Sequence, residues 1–229
     1  MQAVQFVSLG PGSEDTVTIG ALKALQKAER IYCFESKGVS RAAEIIHLLD
    51  IDMSRVVTID APMSKDRSFA NAVYDDVANT IIDDIGNDIG VAVATEGDTG
   101  IFATTHYVMD RLVSKGVKCV QVSGIPSFIA AGGVAALHLV KQTERLMIIP
   151  GKTTADEIEK LVDSGCNLVI MKLSMTHEAV AATIRRRGDF VFLYFENIGL
   201  PTQKHIILTA ENIGESFPYF SLMVIQKKQ

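Results

Sequence analysis

The sequence predicts an α/β protein with two domains, over residues 1–140 and 141–229. In the first domain, five short apolar segments alternate with helix-like segments, which is typical of a mostly parallel sheet with flanking helices. After Leu139 the pattern changes, and the last two predicted strands are separated by only about ten residues, too few for a crossover helix. This spacing favours antiparallel pairs in a second, α+β domain with a mixed sheet. A ligand cleft is expected between the two domains, where such sites usually lie.

The predicted elements follow from apolar runs and helical periodicity. In the first domain, the strands are the run ending at Leu9 and then 30–34, 55–59, 90–95 and 117–122. The helices between and after them are 16–28, 40–49, 69–84, 103–115 and 127–139. The second domain has predicted strands at 145–149, 167–172, 190–194, 205–209 and 219–225.

Composition narrows the class of protein. The chain has 229 residues, of which 48% are hydrophobic, so it can bury substantial cores. A net charge of −5 argues against nucleic-acid binding, and no apolar run reaches the roughly 20 residues of a membrane span. The N-terminus lacks the basic segment of a signal peptide, and three scattered cysteines without C-x-x-C spacing fit a reducing compartment. We expect a cytoplasmic protein without a bound metal.

A glycine turn follows the first strand at Leu9-Gly10-Pro11-Gly12. It lies at the carboxyl end of a strand, where open α/β sheets bind ligands. A dinucleotide fingerprint would need a third glycine at the position of Asp15, and no P-loop motif occurs in the chain. A purely structural turn is the alternative interpretation.

Two further junctions repeat this arrangement. Glu96-Gly97-Asp98 follows the fourth strand, and its carboxylates suit a ribose diol or an ammonium group. Gly124-Ile125-Pro126-Ser127 follows the fifth. The alternatives are an Asp-capped turn at the first junction and an ordinary capped helix start at the second.

In this order and spacing, the motifs at 9–18, 97–99 and 123–127 resemble those of the tetrapyrrole methylases, S-adenosylmethionine-dependent methyltransferases of corrin and sirohaem synthesis. The segments at 144–150, 169–172 and 196–201 are most similar to those of precorrin-2 C20-methyltransferases within that family. The chain departs from the family pattern at three positions: Ser13 replaces the usual Asp, Thr99 replaces Pro, and Phe102 stands where many members have Tyr.

The resemblance implies a homodimer of two-domain subunits with S-adenosylmethionine, later S-adenosylhomocysteine, in the cleft between domains. The residues it assigns to the cofactor are Pro11, Glu96, Gly97, Asp98, Ile101, Pro126, Ser127, Met171 and Ile198. Taken alone, Met171 would be interpreted as core packing.

The implied substrate is a reduced tetrapyrrole, precorrin-2 or cobalt-precorrin-2, methylated at C20. Its carboxylates would need cations, and four candidates lie in or beside loops after predicted strands: Lys37, Arg41, Lys65 and Arg67. Asp15, Glu96 and His106 are candidates for a general base, and the sequence does not choose among them. The alternatives are methylation of another ring position or of a non-tetrapyrrole acceptor, and a ligand-binding module without catalytic activity.

Overall fold

A computed structural model describes residues 2–61 and 67–228, except the side chains of 67 and 68. The chain divides into two compact units, Met1–Pro126 and Ser127–Gln229. The predicted boundary at residue 140 lies later than this division. The reason is that the segment before it is held by the second unit: Asn167 Nδ2 donates to the Leu139 carbonyl at 2.8 Å, and Gln226 Nε2 donates to the His138 carbonyl at 2.8 Å.

The first unit is a parallel sheet between two layers of helices, as the sequence predicts. Its strands are β1 (Val4–Ser8), β2 (Arg30–Glu35), β3 (Val56–Asp60), β4 (Val91–Thr95) and β5 (Cys119–Val122). Its helices are α1 (Ile19–Lys27), α2 (Arg41–Leu48), α3 (Arg67–Gly86) and α4 (His106–Ser114), with short 3-10 turns at Glu14–Thr16 and Met53–Arg55. The strand order is β3-β2-β4-β1-β5, and every pair is parallel.

The two central strands, β1 and β4, are buried on both faces. Phe6 and Val93 pack with α3 and α4 on one face. Val7 and Ala94 pack with α1 and α2 on the other. The helices that directly follow β1 and β4, α1 and α4, therefore lie on opposite faces. This is the arrangement that opens a crevice at the carboxyl ends of two adjacent strands.

Three predicted helices differ from the structure by three residues or more at one end. The helix predicted from residue 16 is a 3-10 turn followed by α1, because the Thr18 hydroxyl accepts from the Ala21 amide at 3.1 Å and caps the helix there. The helix predicted from residue 103 begins at His106. The helix predicted over 127–139 is wrong in its last turn, since Gly132, Gly133 and the left-handed Ala136 (φ +49°) stop it.

The second unit contains a mixed five-stranded sheet. Its helices are α5 (Ser127–Val134), α6 (Ala155–Asp163) and α7 (His177–Arg186). Its strands are β6 (Arg145–Ile149), β7 (Cys166–Met171), β8 (Phe190–Glu196), β9 (Lys204–Leu208) and β10 (Ser221–Lys227). The strand order is β6-β7-β10-β8-β9, with only β6 and β7 parallel.

The predicted mixed sheet is thus confirmed, and its antiparallel pairs are β7–β10, β10–β8 and β8–β9. The last two strands do not pair with each other, because β8 lies between them. Ile158, Leu168, Ile170, Met223 and Ile225 form the centre of the core between this sheet and α6 and α7. In the described parts of the chain, no helix combines the length and apolar character needed to cross a bilayer.

Candidate functional site

The carboxyl ends of β1 and β4 are joined by their glycine turns. The Gly10 amide donates to the Gly97 carbonyl at 3.1 Å, and the Gly97 amide donates to the Gly10 carbonyl at 2.6 Å. Both glycines have positive φ, +73° and +77°. A Cβ at Gly10 would lie 2.3 Å from Thr16 Oγ1, which makes glycine necessary there. We call this paired turn the glycine ledge.

Gly97 differs from Gly10 in its surroundings. A Cβ at Gly97 would meet no atom of the described residues within 4 Å. The backbone of the glycine ledge is therefore approachable by a ligand on this side, while its other half is packed against the chain.

Asp98 fixes the third junction to the ledge. Its Oδ1 accepts from the Gly100 amide at 2.8 Å, and its Oδ2 accepts from the Gly124 amide at 2.7 Å. Gly124 itself passes so close to β1 that a Cβ there would lie 2.4 Å from Ser8 Cβ. Each oxygen of Asp98 thus holds a backbone turn within the first unit, in line with the capped-turn interpretation.

Thr99, at the position of the family's proline, has a clear local role. Its amide donates to Ser8 Oγ at 2.9 Å, and Ser8 Oγ lies 3.2 Å from Thr99 Oγ1. Both residues are buried. A proline at this position would fix the turn through its ring and would have no amide hydrogen to donate. In this chain, the contact with the Ser8 hydroxyl fixes the turn instead.

The other first-unit residues assigned to the cofactor lie at the same junctions. Pro11 is buried beside the ledge, Ile101 is half-buried after Asp98, and Pro126 ends the unit two residues after Gly124. Phe102, which follows Ile101 in the chain, has a φ of +52° and an exposed ring. The structure therefore brings together the residues predicted at three separate places in the first half of the chain.

The carboxyl group of Glu96, at the glycine ledge, has a strongly shifted pKa. Burial raises its pKa to about 7, the guanidinium of Arg41 opposes that rise, and the carboxylate of Glu44 adds to it. Of the other two base candidates, Asp15 is exposed. His106 has its Nδ1 2.7 Å from the Ala103 carbonyl and its ring against Tyr107.

The predicted substrate cations are only partly described. Lys37 is exposed in the turn between β2 and α2, with φ +54°. Lys65 lies outside the described residues, and Arg67 begins α3 with its side chain outside the description. Arg41, also a candidate, is the first residue of α2 on the same connection as Lys37, and 23% of its side chain is exposed.

In the second unit, Met171 and Ile198 come to one edge of the sheet. Met171 ends β7 opposite Leu222 of β10, and Leu222 lies opposite Phe195 near the end of β8. Ile198 is buried just beyond β8, between two residues of positive φ, Asn197 and Gly199. Ser127 begins α5 in the same unit.

A polar cluster beside Ile198 was not anticipated. Tyr194 Oη donates to Glu196 Oε2 at 2.6 Å, and Lys204 Nζ lies 2.9 Å from the same oxygen. Burial raises the pKa of Glu196, but the hydrogen bonds from Tyr194 and Lys204 outweigh it and hold that pKa below its usual range. The alternation of Tyr194 and Glu196 on one strand face was the available signal, but Lys204 joins them only through the β8–β9 register.

Comparison with known proteins gives this fold and site a family. The model of the Tetrapyrrole (Corrin/Porphyrin) Methylases matches residues 3–214, and the chain belongs to that family. A probable cobalt-precorrin-2 C(20)-methyltransferase of Methanocaldococcus jannaschii is 27% identical over 231 residues, covering 99% of this chain and 97% of that protein. The cobalt-precorrin-2 C(20)-methyltransferase of Salmonella typhimurium is 25% identical, covering 97% and 95%.

Solved structures share the fold. A cobalt precorrin-4 methyltransferase has a TM-score of 0.75 at 17% identity, with 97% of this chain and 94% of that chain covered. The uroporphyrin-III C-methyl transferase of Thermus thermophilus, solved in complex with S-adenyl homocysteine, has a TM-score of 0.68 at 16% identity, with 98% and 97% covered. These likenesses confirm the predicted two-domain α/β fold.

Proposed function

We propose that this protein is an S-adenosylmethionine-dependent methyltransferase of cobalamin biosynthesis that methylates C20 of precorrin-2 or cobalt-precorrin-2. The observation that carries the proposal is the glycine ledge, in a chain that the family model matches from residue 3 to 214. Support for the substrate comes from the Methanocaldococcus and Salmonella relatives, which match over nearly their whole lengths and carry this activity in their names.

The ledge fits S-adenosylmethionine on its own chemistry. The open side of Gly97 lets backbone groups approach a ligand closely. Glu96 offers a half-buried carboxyl group to a cation. Apolar side chains at the other sites suit an adenine ring, and Met171 and Ile198 are proposed as two of its walls. In the described residues, no group of three or more His, Cys, Asp or Glu side chains is placed to hold a metal ion.

Methyl transfer needs alignment more than acid–base chemistry at the moment of reaction. The bound cofactor supplies a methyl group on a positively charged sulfur, a strong electrophile for an electron-rich ring carbon. Positioning alone is worth about 7–11 kcal/mol in favourable cases. The hydrogen bonds between Gly10 and Gly97, and those of Asp98 to Gly100 and Gly124, hold the proposed pocket rigid for this purpose.

Lys37, Lys65 and Arg67 are proposed to bind carboxylates of the tetrapyrrole. Local positive charge can attract a polyanion to a protein whose net charge is −5. We also propose a homodimer, on the resemblance alone, and a cytoplasmic location, on the scattered cysteines. Sedimentation at micromolar concentration tests the oligomeric state.

The deciding experiment is anaerobic incubation with S-adenosylmethionine and either metal-free or cobalt-loaded dihydrosirohydrochlorin. We expect the tetrapyrrole to gain the mass of one methyl group in place of one hydrogen. A ¹³C-labelled methyl group then assigns the carbon by NMR, and the faster reaction identifies which form of the ring is the substrate. No mass gain in either reaction contradicts the proposal.

Methylation at a different carbon is the second candidate. A cobalt-precorrin-4 C(11)-methyltransferase of Priestia megaterium is 26% identical over 162 residues, covering 69% of this chain and 57% of that protein. A label at any carbon other than C20 would favour this alternative and leave the reaction class intact.

A further inference from the structure

We propose that Glu96 distinguishes the methyl donor from its demethylated product by ionising when a sulfonium cation binds beside it. The inference rests on the proposed function, because it takes the glycine ledge as the cofactor site. It goes further because it assigns a specific role to one side chain. That role is to favour the charged ligand, S-adenosylmethionine, over the uncharged thioether, S-adenosylhomocysteine.

The position of Glu96 is the first ground. It follows β4 directly and precedes Gly97, whose outer side is open. The residues on either side of Glu96 are held by backbone hydrogen bonds. The Thr95 carbonyl accepts from the Leu9 amide at 3.0 Å, and Gly97 is paired with Gly10. Glu96 therefore has a rigid backbone at the point where a ligand can approach.

The second ground is its lack of a hydrogen-bond partner. Over residues 2–61 and 67–228, no hydrogen bond reaches the Glu96 carboxylate. Asp98, two residues on, accepts one from a backbone amide at each oxygen, and Glu196 accepts from Tyr194 and pairs with Lys204. Glu96 therefore differs from both of these carboxylates, because it is half-buried beside the open side of Gly97 and has no such donor among the described residues.

Within the part of the chain that the structure describes, the charges that act on Glu96 come from α2. They are Arg41 and Glu44, which act in opposite directions and are themselves 4.0 Å apart. Desolvation outweighs the effect of Arg41 on Glu96. As a result, burial raises the pKa of Glu96 to about 7 and leaves its neutral and ionised forms balanced near neutral pH.

A nearby ligand charge shifts this balance in a defined direction. A sulfonium stabilises the carboxylate, lowers its pKa and releases a proton. Affinity for S-adenosylmethionine should then rise as the pH rises towards 7 and level off above it. With a pKa of about 7 in the free protein and a carboxylate that stays ionised in the complex, the gain between pH 6 and pH 8 is about tenfold. S-adenosylhomocysteine has the same amino-acid part and no sulfonium, so it should lack this gain.

The test measures dissociation constants of both ligands by calorimetry at pH 6, 7 and 8. In the wild-type protein, we expect the ratio of the product's to the donor's dissociation constant to rise by about tenfold from pH 6 to pH 8. Titrations in two buffers of different ionisation enthalpy should show a proton released with the donor only. Glu96→Gln should make the ratio independent of pH. Glu178→Gln, at an exposed position in α7 of the second unit, is the matched control and should retain the rise.

Several results would overturn the inference. These are a ratio that does not change with pH in the wild type, a rise that persists in Glu96→Gln, or a ratio that falls as pH rises, which would indicate an anion beside Glu96. If Glu96→Gln fails to fold, two other results decide the matter. Glu96→Asp keeps a titratable group and should retain a rise in the ratio, and the wild type should release a proton on binding the donor. If both ligands bind and methyl transfer occurs without the rise, this inference alone fails. If neither binds the wild type, the proposed function fails as well.

Discussion

The glycine ledge of the first unit, called here the first edge, and the Tyr194–Glu196–Lys204 cluster of the second unit, called here the second edge, are built in different ways. At the end of the first sheet, the glycine ledge and the Asp98 contacts consist mainly of backbone groups: Gly10, Gly97, Gly100 and Gly124 supply the amides. At the end of the second sheet, the contacts are between side chains, since Tyr194 and Lys204 hold Glu196.

This difference predicts how each edge responds to substitution. A backbone edge depends on conformations that only glycine adopts without strain, so one added methyl group disturbs several hydrogen bonds at once. A side-chain cluster loses one contact at a time. Substitutions at the first edge should therefore have larger effects on stability than substitutions at the second.

The largest effect is expected from Gly10→Ala. The new Cβ would lie 2.3 Å from Thr16 Oγ1 and 2.9 Å from the Thr16 carbonyl oxygen, at a φ of +73°. We expect the free energy of unfolding to fall by about 3 kcal/mol, measured by urea denaturation. Gly38→Ala is the matched control, because its φ is +76° and no atom of the described residues would lie within 4 Å of its Cβ. It should lose only about 1–2 kcal/mol. Equal losses would show that the close approach of Thr16 is unimportant.

An intermediate effect is expected from Thr99→Pro, which restores the family's usual residue. It removes the amide that donates to the buried Ser8 Oγ at 2.9 Å. We expect a loss of about 1–2 kcal/mol in the same assay. Ser8→Ala in the Thr99→Pro background is the control: the double variant should lose less than the sum of the two single variants. Additive losses would mean that the Ser8 contact does not hold this turn.

The smallest effect is expected from Glu196→Gln. The pKa of Glu196 is lowered in the folded protein, so its ionised form adds stability above the ordinary pKa of a glutamate, and this contribution disappears as pH falls through the lowered value. The substitution should cost about 1 kcal/mol at pH 7 and much less at pH 3. Paired urea melts at both pH values measure this. Glu215→Gln, at an exposed position outside the cluster, is the comparison. A cost that is the same at both pH values would contradict a charge-dependent role.

The first edge could be predicted from sequence because its signals are local. Gly10, Gly97 and Gly124 each follow an apolar strand within a few residues, and parallel strands bring their carboxyl ends to one edge. The strand order could not be predicted in this way, since nothing near Ser8 indicates that β4 is its neighbour. The same holds for Glu96, whose environment depends on the docking of α2 against the sheet.

The second edge shows the limit more clearly. Lys204 meets Glu196 through strand register, and register is set by the turn between β8 and β9 and by burial across the whole sheet. Predicted helix ends were wrong where a hydroxyl or a glycine pair decides them: Thr18 delays the start of α1, and Gly132 with Gly133 shortens α5. Hydrophobic periodicity locates a helix, but it does not predict the single contacts that decide where the helix begins and ends.

The position of β10 in the second sheet has a consequence for biosynthesis. The sheet of the first unit is complete once Val122 has been made, whereas the second sheet needs Ser221–Lys227 as a central strand between β7 and β8. Domains generally fold as units during synthesis, the N-terminal one first. The first unit can therefore fold on the ribosome before the second is complete. Until β10 is made, the pairs β6–β7 and β8–β9 have no strand to join them. Two-stranded ribbons are marginal in water, so a stop codon before Ser221 would leave a folded first unit attached to an open second one, a natural substrate for proteases.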